Sequence, residues 1–211
     1  MNLDELAIHY QVDKSSYTHN YTRRYEQHFE PRRKEALKLL EIGVFKGGSL
    51  RMWRDYFPYA QIYGLEANPE WVFDEDRIHV FYGDETDADL RNRITDLGID
   101  IIIDDGSHIN SHQVASFYHL FPRLNPNGIY AVEDLHTSYI TEVGPWRDMK
   151  PDTALDVFKR LVDDVNLRGD DVVGVGDVRR VAGFSDCSVF RQSLDSVHFY
   201  KSIMFAHRAV P

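Results

Sequence analysis

Apolar residues in this chain come in short, β-branched runs that stop at acids and glycines. Leu37 to Gly43, Gln61 to Glu66, Ile78 to Tyr82, Ile99 to Asp105 and Gly128 to Glu133 each read as a strand buried on both faces. Continuous apolar runs this short, bounded by turn residues, are what a parallel sheet demands. Between them the period lengthens to that of a helix. Leu50, Trp53, Tyr56 and Phe57 follow the Gly47-Gly48-Ser49 turn, and residues 87–97 and 112–124 supply two more helices. Strands alternating with helices predict an α/β fold with a doubly wound, mostly parallel sheet. After a helix over 152–166, short runs at 178–184, 188–191, 197–200 and 203–207 read as strands. The last pair, split by Lys201-Ser202, predicts an antiparallel C-terminal hairpin closing the edge of a seven-stranded sheet. Residues 1–35 read as an N-terminal helical cap. Residues 136–151, polar and holding Gly144-Pro145, are a candidate lid.

A chain of 211 residues, 43% of them hydrophobic, fits one domain over 1–211 with a single sizeable core. Its net charge of −10, with basic clusters only at Arg23-Arg24 and Arg32-Arg33-Lys34, argues against a nucleic-acid partner. The lone cysteine, Cys187, excludes an intramolecular disulfide framework and a cysteine-rich zinc site, and reads as a small buried apolar residue. No apolar stretch reaches the roughly 20 residues of a membrane helix, and Met1 to Glu5 lack the features of a signal peptide. A cytoplasmic chain without a membrane partner is the expectation.

The chemistry lies at the strand ends. Asp104-Asp105-Gly106-Ser107-His108 and Glu133-Asp134-Leu135-His136 each begin where an apolar run stops. In open α/β sheets the carboxyl ends of the strands line the ligand crevice. Two neighbouring strands would bring up to four carboxylates and two imidazoles together there, and unpaired charge of that density is costly in a partly buried site. A divalent cation is the simplest partner. Upstream, Glu41 ends the first strand, and Gly43, Gly47 and Gly48 stand where the chain would pass close to a ligand. The spacing does not supply a dinucleotide fingerprint. Glu66, 25 residues after Glu41, is placed to accept both hydroxyls of a ribose, and Asp84 to receive an exocyclic amine. Together they specify an adenosine-like ligand without strong phosphate recognition. The plainer alternative makes the glycines ordinary turn residues and Glu66 a solvated strand end.

Glu41-x-Gly43, Glu66 and Asp84 resemble the S-adenosylmethionine site of class I methyltransferases, whose fold is Rossmann-like. More narrowly, three runs are similar to the metal-dependent sugar O-methyltransferases of macrolide biosynthesis, the mycinamicin and macrocin type: Leu40 to Val44 with Gly48 to Trp53, Ile103 to His108, and Val132 to Tyr139. Asp13-Lys14-Ser15-Ser16 with His19 and Tyr21 resembles their amino-terminal motif, and Val197 to Ser202 their closing hairpin. The resemblance covers nearly the whole chain; a chain without the extra amino-terminal domain of the larger members is the expectation, and residues 178–191 match nothing in the resemblance.

The resemblance implies S-adenosyl-L-methionine and Mg²⁺ as cofactors, and a saccharide or glycosylated small molecule as acceptor, a mannoside or rhamnoside among the options. It implies a homo-oligomer, and Asp105, Glu133 and Asp134 as metal ligands. Glu41, Gly43, Gly47, Ser49, Glu66, Asp84, Asp104 and Lys14 are the expected cofactor contacts. Asp104 is expected to point to the sulfonium side, and Asp13, Lys14 and His19 to fold over cofactor or substrate unless that polar run is a disordered entry to the first helix. His108, three residues after Asp105, is the candidate general base, the alternative being a turn histidine bonded to a carboxylate. His136, Thr137 and Tyr139, with His19, are candidate acceptor contacts. Two rival readings keep the fold and change the role: methylation of a catechol or other vicinal diol, and a non-catalytic binding module.

Overall fold

The computed structural model describes residues 1–140, 144–149, 151–166, 190 and 193–210. Cys187, the expected strand at 178–184 and most of the run 188–191 lie outside them. In chain order the strands are β1 (Lys38–Ile42), β2 (Gln61–Glu66), β3 (Asp74–Glu75), β4 (Ile78–Tyr82), β5 (Ile101–Asp104), β6 (Ile129–Val132), β7 (Leu194–Phe199) and β8 (Met204–Arg208). They form one mixed sheet in the order β3-β4-β2-β1-β5-β6-β8-β7. The five central strands run parallel, and β7 and β8 form the antiparallel hairpin, with β8 antiparallel to β6. The sheet has eight strands rather than seven, because the two-residue β3 pairs antiparallel with β4 and is too short to carry a period of its own.

The helices are α1 (Leu3–His9), α2 (Thr22–Phe29), α3 (Gly48–Tyr56), α4 (Ala88–Thr95), α5 (Asn110–Leu120), α6 (Ala154–Lys159) and α7 (Leu161–Asn166). The single helix expected over 152–166 is two, with a turn at Arg160 between them. Strand alternation sorts the core into two layers. Leu39, Ile101, Ile103, Ile129 and Ala131 face a cluster with Leu3, Leu6, Tyr25, Phe29 and Trp53, so the first 35 residues are a packed layer of the core. Leu40, Ile42, Ile102, Tyr130 and Val132 face the other way, against Phe117, Phe121 and Phe158.

This parity decides where the strand-end acids go. Glu41 shares the face of Leu39, and Asp105 and Glu133 continue the alternation onto that same face, whereas Asp104 continues the face of Ile102. The strand order reverses between β1 and β5, with β2 and β4 on one side and β5 and β6 on the other. Loops leaving the carboxyl ends diverge at such a point and open a crevice. Among the described residues, no helix is long and apolar enough to cross a membrane.

Candidate active site

The crevice is a cleft of about 750 Å³ over the ends of β1, β2 and β5, with Tyr10 to Lys14 also in its wall. At Gly43 the backbone has φ +86°, and a Cβ there would lie 2.1 Å from the carbonyl oxygen of Asp105, so only glycine lets β1 exit beside β5. Gly47 caps α3 with φ +77° and faces the ring of Phe73; it shapes the turn and does not line the cleft. Ser49 and Glu66 do line it. The Glu66 carboxylate is fixed by three backbone N–H groups: Val44 (3.0 Å) and Phe45 (2.8 Å) donate to Oε2, and Asn68 (2.7 Å) to Oε1. Asp84 sits in the wall, its carboxyl held below the usual range by the hydroxyl and N–H of Thr86. Glu85 also enters the cleft and accepts from the Ser107 hydroxyl at 2.5 Å, a contact the sequence reading missed. Its signal was Gly106, where a Cβ would fall 2.3 Å from Glu85 Oε2.

Behind this cleft the acids of the first face converge on one cation. Lys14 is fully buried, with Nζ 2.5 Å from Asp105 Oδ2, 2.9 Å from Glu133 Oε1 and 3.4 Å from Glu41 Oε1. Burial alone would lower the Lys14 ammonium, yet the charges of Asp105, Glu133 and Glu41 hold it well above its ordinary value. Burial pushes Glu133 well above the carboxylate range, and the Asp105 charge adds to this, against the pull of Lys14 and of the Tyr25 hydroxyl that donates to it. Glu41, also sealed, is pushed up to about 7 by burial. Lys14, expected among the cofactor contacts, stands in the wall of the cleft and is the counter-ion of these acids. Asp104 departs from expectation. It is 2% exposed, accepts from the Tyr130 hydroxyl at 3.1 Å and faces the second core layer, away from the cleft, because adjacent residues of a strand point to opposite faces.

Asp105, His108 and Asp134 present ligand atoms that all lie within 4.8 Å of one another. His108 Nε2 is 3.5 Å from Asp134 Oδ2 and 3.9 Å from Asp105 Oδ1, and its buried Nδ1 has no hydrogen-bond partner. Glu133, expected as a third ligand, stands outside this group, held by Lys14 and Tyr25. His108 and Asp134 both adopt left-handed backbone, at φ +56° and +55°, a conformation that costs energy in a residue with a Cβ unless its surroundings enforce it. Here the enforcing group is Thr137. Its buried hydroxyl sits 3.2 Å from the carbonyl of His108 and 3.0 Å from that of Asp134, tying the two loops together. Thr137, expected among the acceptor contacts, is 3% exposed and bridges the two loops without lining the second cavity.

A second cavity of about 650 Å³ is lined by His19, Tyr21, His136, Tyr139, Tyr200 and Lys201, among others. Three of the four expected acceptor residues meet here. Tyr21 donates to Asp134 Oδ1 at 2.7 Å, and His136 Nδ1 lies 3.8 Å from the same oxygen. Asp134 therefore links the second cavity to His108, which lines the first. Of the candidate lid, His136 to Tyr139 belong to a 3₁₀ turn that begins at Leu135, and the described part beyond is tied to the start of α5 by a bond from the Asn110 N–H to the Trp146 carbonyl. Residues 141–143 and 150 of that segment lie outside the described residues.

No family model matches the chain. It is 35% identical to mycinamicin VI 2''-O-methyltransferase of Micromonospora griseorubida, over 98% of this chain and 52% of that protein. It is 45% identical to 8-demethyl-8-alpha-L-rhamnosyl tetracenomycin-C 2'-O-methyltransferase of Streptomyces olivaceus, over 75% of this chain and 44% of that one. The chain spans about half the length of the curated relatives it matches. Among solved structures, MycE, a methyltransferase from the mycinamycin biosynthetic pathway in complex with Mg, SAH and mycinamycin VI, superimposes with a TM-score of 0.83 at 33% identity. That match covers 99% of this chain and 54% of the other.

Proposed function

We propose that this chain, a relative of the sugar O-methyltransferases of the mycinamicin and tetracenomycin type, is an S-adenosylmethionine- and Mg²⁺-dependent O-methyltransferase. Its acceptor is a hydroxyl of a saccharide or a glycosylated metabolite. The observation that carries the reading is the cluster of Asp105, His108 and Asp134 between the two cavities: Asp105 and His108 line the first with Glu66, and Asp134 is bonded to Tyr21 in the wall of the second, with His136 and Tyr139. The donor set suits the metal: the carboxylates of Asp105, in the cleft wall, and Asp134, both partly exposed, offer the hard oxygens Mg²⁺ prefers. Asp105 and Asp134 would hold it, with Glu133 set behind them on Lys14 and Tyr25. The first cleft suits an adenosine-bearing cofactor through Glu66, whose fixed carboxylate faces the cleft where ribose hydroxyls donate.

When bound, the two groups supply an electrophilic methyl and Lewis acidity. The chain's own residues do the rest. A sugar hydroxyl keeps its proton at neutral pH, so a base must take it as the new bond forms. His108 Nε2 takes that proton, and the Asp134 carboxylate 3.5 Å away stabilises the imidazolium. Tyr21 keeps Asp134 aimed at His108 through its hydroxyl. Thr137 holds both backbones in the strained form that brings the two side chains together.

Two results test the assignment. Chelation is expected to abolish methyl transfer to a glycoside and added Mg²⁺ to restore it; full activity in metal-free protein would reject the metal. Glu66→Ala should weaken S-adenosylmethionine binding by about 1–3 kcal/mol, the usual loss for charge-assisted hydrogen bonds. Calorimetry on variant protein with an unchanged melting temperature checks this, and unchanged affinity would remove Glu66 from the cofactor site.

A further inference from the structure

His28 in the last turn of α2, His198 in β7 and His207 in β8 bring three imidazoles together at the far edge of the sheet, apart from the carboxylate site. The hairpin register pairs Ser196 with His207 and His198 with Phe205, which places His198 and His207 as diagonal neighbours on one face. His28 packs onto that face, its ring stacked on Phe205 with centroids 4.1 Å apart. Ligand nitrogens of the three histidines all lie within 4.8 Å of one another, and His28 Nδ1 is 2.8 Å from His207 Nε2. On its outer side His28 Nε2 meets the Tyr200 hydroxyl at 3.1 Å.

We propose that His28, His198 and His207 form a second metal site, specific for a borderline divalent transition metal of the zinc class. Three imidazoles and no carboxylate are a poor match for Mg²⁺, which takes oxygen ligands, and a good one for zinc, cobalt or nickel. The outer bond to the Tyr200 hydroxyl gives His28 a second hydrogen-bond partner, which fixes the tautomer and ring orientation of a metal-bound imidazole. With Nε2–H donated to Tyr200, His28 turns the Nδ1 lone pair inward, and the metal replaces the hydrogen bond now joining His28 and His207.

The place in the fold gives such a metal a consequence. α2 starts directly after Tyr21, which holds Asp134, and carries Tyr25, which holds Glu133. The hairpin contributes Phe199 to Ser202 to the wall of the second cavity. A metal joining His28 to His198 and His207 would therefore clamp two walls of that cavity together.

The test is a Co²⁺ and Zn²⁺ titration of the whole protein in saturating Mg²⁺, which occupies the carboxylate site. One equivalent of Co²⁺ should produce a visible d–d band of a low-coordinate site, Zn²⁺ should displace it, and Zn²⁺ should raise the melting temperature. His198 is exposed, so His198→Ala should fold normally and lose both the band and the thermal shift. Asp134→Asn should keep them. Tyr200→Phe, which removes only the outer partner, should weaken Zn²⁺ by about tenfold to a hundredfold. No band in the wild-type protein, a band that survives His198→Ala, or one that vanishes in Asp134→Asn would each overturn the proposal.

Discussion

Lys14→Met is expected to destabilise the fold by about 3–5 kcal/mol, the usual result of removing one partner from a buried ion cluster. The loss is large because Lys14 faces three carboxylates and its removal leaves all of them without a cation. The variant should also respond to pH in a definite direction. Without the ammonium, the Glu41 and Glu133 carboxyls hold their protons more tightly still in the folded state than in the unfolded chain. A raised folded pKa of an acid favours the fold at low pH and costs stability as pH rises above the unfolded value. Urea unfolding of Lys14→Met should therefore show a deficit against the wild type that widens as pH rises above about 7, where the wild-type Glu41 carboxyl, with its cation present, ionises. Adding Glu133→Gln should recover part of it, since one buried charge fewer then needs a partner. Wild-type stability in Lys14→Met, or a deficit that the second substitution deepens, would contradict the cluster's electrostatics.

His108→Ala is expected to lower methyl transfer by about a hundredfold or more, within the range for removal of a general base. The affinities for S-adenosylmethionine and Mg²⁺ should change little, because Glu66 and the carboxylates of Asp105 and Asp134 remain. The fall should appear in kcat and kcat/KM together, as for an interaction made in the transition state. The His108 side chain is about a quarter exposed and its Nδ1 bonds to nothing, so alanine removes few packing contacts and the fold should survive. Turnover close to wild type would leave Asp134 as the remaining base candidate.

What could be read in the sequence follows from period and parity. The central strands were legible because each is a short apolar run with an acid at its end, and β2 and β4 occupy the expected residues. Parity was equally available: Glu41, Asp105 and Glu133 share a face by strand alternation alone, and the same rule turns Asp104 away. Lys14 was legible only as part of a polar run, since nothing local says that a lysine 27 residues before Glu41 will be sealed beneath it. That is a tertiary fact, set by α1 and α2 packing over the first core layer. Thr137 was assigned to the acceptor, but a buried hydroxyl bridging two strained loops cannot be told from a pocket residue by spacing. Tyr21 appeared in a motif without a role, and its bond to Asp134 crosses 113 residues. The three-histidine cluster was equally invisible, because the hairpin register that pairs β7 with β8 also brings in a helix from the other end of the chain.

The central claim is methyl transfer to a saccharide hydroxyl with a metal-assisted, His108-dependent loss of its proton. Its most direct test is transfer of labelled methyl from S-adenosylmethionine to a matched pair of glycosides, one with two neighbouring hydroxyls and one with the neighbour removed, with Mg²⁺ and after chelation. The account predicts a monomethylated product from the intact glycoside, only with Mg²⁺, and far slower reaction of the deoxy partner. Equal turnover of the two glycosides, transfer that persists without metal, or label that reaches catechols and no saccharide would contradict it.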